Sequence, residues 1–333
     1  MSMKKLLVLA LSVVLVLGFS IAALADVTTN IHGEAYLGFK NTTAVDDNQT
    51  VGEFNINATA VIDDNVTVFG KIKTWDAGGH SDSYSNDEVW ASAKFGTVTT
   101  KVGYFGWGFG GDKDILNTAS DDFKGNRAAL LVTVPFAEGF NGEAFYSYAA
   151  SKKAALLGDG AYGVGLSYAA ETWSIGVKYG DSKSNDESVT NSAWGTSGDG
   201  FSATGKDHKL TNVTASYKGI ESLDLFLSYT NLTDVNTATA GKYDDVTTSI
   251  VGVIWSPADL PWIVRAEYDL NDELKANGAG GNLGSTQYTD FNPWGFRICY
   301  KINNNPNTLI RLDRNQCTKS GGATTELKYD FVF

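Results

Sequence analysis

The sequence predicts an all-β chain that closes into a transmembrane antiparallel β-barrel of about sixteen strands, with short periplasmic turns and long external loops. Three observations carry this prediction. The chain ends on Leu327-Lys328-Tyr329-Asp330-Phe331-Val332-Phe333, which puts Leu327, Tyr329, Phe331 and Phe333 on one strand face and Lys328 and Asp330 on the other. Its first residues read as an export signal. Between the two ends, short alternating runs are joined by connections that are alternately tight and long, a sorting that a soluble sandwich has no reason to make.

Residues 1–25 are expected to be a signal peptide. Lys4 and Lys5 give the basic start, residues 6–17 the apolar run, and Ala23-Leu24-Ala25 the small-residue cleavage site. Residues 26–333 then form a single barrel domain. No other segment approaches the ~18 apolar residues of a helical span. With 12% aromatic residues, 36 Gly and only 5 Pro, the composition favours strands and turns. A net charge of −12 argues against nucleic acid as a partner and suits a water-exposed surface.

The first strand is expected at residues 31–39, with Ile31, Ala35, Leu37 and Phe39 on one face, followed by a polar loop over 41–50. Phe54, Ile56, Ala58, Ala60 and Ile62 mark the second strand. The turn Asp63-Asp64-Asn65 leads into the third, with Val66, Val68 and Ile72 opposite Lys71 and Lys73. After a loop over 77–87, Val89, Ala91, Ala93 and Phe95 alternate with Glu88, Trp90 and Lys94. Gly96 turns the chain into Val98, Thr100, Val102 and Tyr104. The pattern repeats near 127–136, 140–150, 160–169, 172–180, 209–218, 223–231, 245–256, 262–270, 288–302, 307–314 and 323–333. Its longest connection covers 181–208. Tyr146, Tyr148, Tyr162, Tyr168, Trp173, Tyr179, Trp255, Trp262, Tyr268, Trp294 and Tyr300 fall on the apolar face, mostly near strand ends, as interfacial aromatic girdles require.

On these residues the chain resembles the general (non-specific) porins of Gram-negative bacteria. The features that carry the resemblance are the signal, the terminal Phe333 strand, the Phe95-Gly96-Thr97-Val98-Thr99 hairpin, the following Phe109-Gly110-Gly111-Asp112, and the hairpin turning at Phe136-Ala137-Glu138-Gly139-Phe140. Where that family often carries Gly-Arg after the hairpin, this chain has Lys101-Val102-Gly103. The resemblance implies a homotrimer in the bacterial outer membrane, each barrel a water-filled pore narrowed by its third external loop, here residues 107–124. It implies outer-membrane lipid, lipopolysaccharide and the barrel-assembly machinery as partners. Tyr329, Phe331 and Phe333 would be the assembly signal.

A pore selects by its width and by the charges on its wall. The strand register places Lys71, Lys73, Lys94, Lys101 and Arg127 inward, and the candidate constriction loop carries Asp112, Asp114, Asp121 and Asp122. An acidic loop facing a basic wall sets a transverse field that small polar solutes can cross by orienting their dipoles. Further inward charges are Glu34, Glu53, Glu143, Lys178, Arg265, Glu267, Asp269, Arg297, Arg311, Asp313 and Lys328, of mixed sign. The excess negative charge in the loops predicts weak cation selectivity. Ile31, Ala35, Ala58, Ala60, Ala91 and Ala93 make the outward face of the first strands unusually small, which predicts a subunit interface there.

Enzyme chemistry is not expected. His32, His80 and His208 sit in no metal-ligand or nucleophile motif. The glycines at 106, 108, 110 and 111 lack the following helix that a phosphate loop needs. No metal or cofactor is implied. Cys299 and Cys317 are an even pair in an exported chain, which favours a disulfide. Against it, the register puts Cys299 low on the fourteenth strand and Cys317 in the last external loop, beyond the ~7 Å reach of a bridge unless that loop folds inward. The functions in competition are a diffusion porin, a sugar- or phosphate-specific channel, and an adhesion or structural barrel of little conductance. For a sugar path, Tyr36, Trp75, Trp90 and Phe145 are scattered inward aromatics.

Overall fold

The computed structural model describes residues 27–42, 47–76, 85–108, 118–120, 127–147, 161–182, 187–191, 201–205, 208–233, 242–270, 274–277, 294–316 and 323–332. The expected signal peptide, Phe333 and Cys317 lie outside them.

Sixteen strands form the wall: β1 (Thr28–Thr42), β2 (Asp47–Asp63), β3 (Val66–Asp76), β4 (Ser85–Phe95), β5 (Val98–Phe105), β6 (Arg127–Ala137), β7 (Phe140–Ser147) and β8 (Ala161–Ala169). They continue with β9 (Trp173–Ser182), β10 (His208–Ile220), β11 (Leu223–Thr233), β12 (Lys242–Trp255), β13 (Trp262–Asp269, continued by Leu274–Asn277), β14 (Trp294–Lys301), β15 (Thr308–Gln316) and β16 (Ala323–Val332). Each pairs antiparallel with its neighbours in sequence. The ring closes where β1 also pairs with β16, with Ala35 opposite Phe331 and Leu37 opposite Tyr329. Closure leaves no free sheet edge, so every ladder donor and acceptor in the wall can be met by a neighbour.

The period of two sorts the wall into two chemistries. Outward stand Ile31, Phe39, Val102, Val164, Ile175, Val177 and Leu227, all exposed. A water-facing surface would not keep an apolar belt this continuous. Aromatic residues bound the belt at both ends. Near the tight turns Tyr168 packs between Phe140 (4.4 Å) and Trp173 (4.9 Å), and Trp262 meets Tyr300 (4.9 Å). At the opposite end stand Tyr104, Tyr162, Tyr179 and Tyr268. Along β8, Tyr162 and Tyr168 are separated by roughly 20 Å at the usual rise of a strand. Beyond the far ring the outward face turns polar: Tyr162 donates to Asp181 Oδ2 (2.9 Å), and Arg314 bonds Thr325 and Gln316 (both 3.3 Å).

The tight turns are built as expected. Asp63 Oδ1 accepts from the backbone N–H groups of Asn65 (2.7 Å) and Val66 (2.8 Å), so the aspartate itself closes its turn. Two expectations at the opposite rim need correction. The polar loop expected at 41–50 is largely strand, because β1 and β2 stay in register through Thr42 and Asp47, and Asn41 donates to Asn48 Oδ1 (2.8 Å). Polar residues on both faces do not prevent pairing where a ladder extends beyond the apolar belt. The connection over 181–208, expected as loop, contains two strands, Glu187–Asn191 and Phe201–Gly205. They form a separate three-stranded sheet with Thr118–Ser120, from the connection after β5.

Candidate functional site: the barrel lumen

Sixteen strands enclose a bore too wide for wall side chains to fill, so the inward face decides what the barrel can hold or pass. The pairing places Lys71 and Lys73 on β3, Lys94 on β4 and Lys101 on β5 on that face, as expected. Arg127 opens β6 opposite Phe105, again in inward register. The wall is less basic than its lysines suggest. Lys71 Nζ lies 3.7 Å from Glu34, and Lys73 Nζ lies 2.8 Å from Glu53. Lys101 instead rests 4.2 Å from the centroids of both Trp90 and Phe105. Asp112, Asp114, Asp121 and Asp122 lie outside the described residues. His32 meets Glu34 (3.6 Å) and Asn57 (3.1 Å). Among the described residues no group of three or more His, Cys, Asp or Glu could hold a metal ion.

On the opposite side of the seam, β13 to β16 carry an interlocked ladder of charges. Arg265 pairs with Glu267 on the same strand, and both are buried. Arg297 grips Asp313 through two bonds of 2.7 and 3.1 Å. Arg311 reaches Asp313 (3.2 Å) and Asp330 (3.1 Å), while Glu326 takes Lys328 and Lys40 (3.6 Å). Asp269 accepts from the backbone N–H of Ser249 at 2.9 Å. The sequence shows these as mixed signs on one face. Their linkage was legible only through register, which sets Arg297 opposite Asp313. Cys299 stands buried among them on β14, opposite Arg311. Cations and carboxylates alternate around this arc, so its field is short-ranged and nearly cancels along the bore.

A third feature joins residues that were expected separately: Glu143, Lys178 and Phe145 on the inward face, and Trp107 at the start of the candidate constriction loop. Past the end of β5 the chain bends to the lumen side, and Trp107 is 1% exposed. Its ring stacks on Phe145 at 5.1 Å and 11°, and its Nε1 donates to Glu143 Oε2 at 2.8 Å. Lys178 on β9 completes the contact: its Nζ lies 3.0 Å from Glu143, 4.9 Å from the indole and 2.5 Å from the Gly108 carbonyl. Gly163 and Gly165 on β8 form the floor, and a Cβ at Gly163 would occupy the indole ring's position. The inward parity of Glu143, Phe145 and Lys178 is legible in the sequence, and the Gly-x-Gly spacing on the inward face of β8 is a further signal for this site. A second aromatic contact, Phe69 stacked on Trp90 at 5.2 Å, continues the row towards the tight-turn rim.

Outward, Ile31 pairs with Ala58, Ala60 with Val68, Val68 with Ala91 and Val66 with Ala93, so the small residues of the expected interface form one patch on β1 to β4. On β16, Tyr329 and Phe331 also face outward beside β1.

No protein-family model matches the chain, and no curated protein sequence matches it. Solved structures do. A five-substitution mutant of the porin of Rh. blastica is 13% identical with a TM-score of 0.62, and a two-substitution mutant of the same porin is 14% identical with a TM-score of 0.62. A triple mutant described as Rhodopseudomonas blastica porin gives 13% and 0.59. Each alignment covers 92% of this chain and 100% of the other. At this identity the likeness is one of fold: a closed sixteen-stranded antiparallel porin barrel.

Proposed function

We propose that the protein is an outer-membrane channel of the porin type, through which small hydrophilic solutes and ions diffuse passively with a weak preference for cations. The observation that carries this reading is the two-sided wall: a closed ring of sixteen strands, apolar outward between two aromatic rings and charged inward. A bore of that strand number holds water, and its ion-paired lining suits hydrated solutes without binding any one of them tightly. Passive diffusion needs no reaction, and none is assigned. Reconstitution into planar bilayers tests the reading. Stepwise ohmic currents are expected, and a silent membrane under conditions where the barrel inserts would overturn it.

Within this reading the acidic residues Asp112, Asp114, Asp121 and Asp122 face the Lys71, Lys73, Lys94, Lys101 and Arg127 side of the bore. The small-residue patch on β1 to β4 is the contact of a homotrimer, since close approach rather than hydrophobicity drives association in lipid. Crosslinks from Ala58 or Ala91 found only within one chain would remove the trimer assignment. Tyr329, Phe331 and Phe333 serve assembly, with lipid, lipopolysaccharide and the insertion machinery as partners.

One observation favours a second reading, a solute-specific channel. Phe69, Trp90 and Lys101 form a half-buried aromatic and cationic platform on the inward wall, and sugar rings stack on such surfaces. Concentration-dependent block of the current by a sugar would favour this reading; additive diffusion without block favours the general channel.

A further inference from the structure

The geometry points to a constriction built from two external connections rather than one, pinned to the lumen wall by Trp107. This inference rests on the channel reading above. Its first support is the path of the chain after β5. The inward series Lys101, Gly103, Phe105 continues past the last paired residue to Trp107, whose indole is buried against β7, β8 and β9. Stacking on Phe145, the bond to Glu143 and the Lys178 bond to the Gly108 carbonyl hold the backbone itself to the wall. Through Gly108 the chain therefore leaves β5 on the lumen side of the wall.

The second support is independent of the first. Thr118–Ser120, further along the same connection, pairs with Glu187–Asn191 from the connection after β9: Ser120 lies opposite Val189, Ala119 opposite Thr190 and Thr118 opposite Asn191. Glu187–Asn191 also pairs with Phe201–Gly205, so it is the central strand of the small sheet. A peptide segment crossing water alone satisfies its backbone through solvent and moves freely. Paired into a three-stranded sheet, it acquires a fixed shape. Lys178 ties the two supports together, because it sits on β9, the strand from which the second connection leaves. Trp107 and Lys178 are positioning residues: they set where the sheet lies, and the sheet sets the width.

The experiment uses the full-length folded protein with Cys299→Ser and Cys317→Ser as background. Ala119→Cys with Thr190→Cys is expected to form a disulfide under mild oxidant, detected as a mobility change that reductant reverses, and to reduce open-channel current noise. Trp107→Ala is expected to raise single-channel conductance roughly twofold and increase noise, because the narrowest section limits flow, whereas Trp107→Phe, which keeps the stack, should stay near the parent value. If Trp107→Ala fails to fold, Lys178→Met is measured instead, with the same expected direction. Absence of the crosslink overturns the two-connection sheet, and unchanged conductance in the Trp107 or Lys178 variant overturns the pin. A silent parent protein that still forms the crosslink would instead count against the channel reading and leave the sheet standing.

Discussion

Gly103 shows how tightly single positions of the wall are specified. It sits on β5 with φ at 145°, and a Cβ there would collide with the Val89 carbonyl and Trp90. Any L side chain must therefore distort the β4–β5 ladder beneath the Trp90 and Lys101 stack. Gly103→Ala is expected to cost about 1–3 kcal/mol, the range for forced backbone strain. Gly70 on β3 is the contrasting case, because an added Cβ would meet nothing within 4 Å. Gly70→Ala should be neutral or stabilise by ~0.5 kcal/mol through loss of unfolded-chain freedom. Urea unfolding of the two variants in detergent checks both. Equal midpoints would show that local backbone geometry does not limit this wall.

At the scale of strands, stability inside the bore depends on charges meeting their partners. The side chain of Glu267 is fully buried, and Arg265 beside it is nearly so. Removing one member takes a direct ion-pair partner from a buried charge, so Arg265→Ala is expected to destabilise by roughly 3–5 kcal/mol. The double variant Arg265→Met with Glu267→Leu should lose much less, since the desolvation of both ions disappears with them. Unfolding midpoints of the single and double variants decide it; a double variant as weak as the single would mean that the pair contributes net attraction. The faces of these strands are legible in the sequence wherever the period of two is unbroken, which is why Lys71, Lys101, Arg265 and Arg297 are all expected inward; where a bulge breaks it the parity misleads, and Trp75, expected inward, is in register with Phe54 of the outward face. Their partners were not legible. Partnership depends on register, and register shifts at bulges such as the one that sets Phe54 opposite Trp75 but Asn55 opposite Lys73. The packing of Trp107 on the wall was not legible for a related reason: it opens the expected constriction loop, past its strand, where periodicity stops. The small sheet was missed because segments such as Thr118–Ser120 are too short to alternate visibly.

For the whole molecule, ion preference follows from where charge is left uncompensated. Along the wall Lys71, Lys73, Lys178, Arg265, Arg297, Arg311 and Lys328 each have a carboxylate within 4 Å, so each of these positive charges is largely offset by its partner. The chain as a whole carries a net charge of −12. Under the channel reading proposed above, the excess would act mainly from the connections, where the sequence carries acidic residues such as Asp46 and Asp47, and would concentrate cations at the mouth. Such a field is screened over about 10 Å at 0.1 M salt but only about 3 Å at 1 M. Cation preference should accordingly be modest at low salt and fade towards none at high salt, read as reversal potentials across a fixed salt ratio. Lys73→Met would release the Glu53 carboxylate from its 2.8 Å partner and should raise the cation preference at both salts, since a charge inside the bore is screened less than one at the mouth. A preference that ignores salt in the parent protein would place the selecting charges at the narrowest section and not at the mouth. A preference for anions would remove the mouth model altogether.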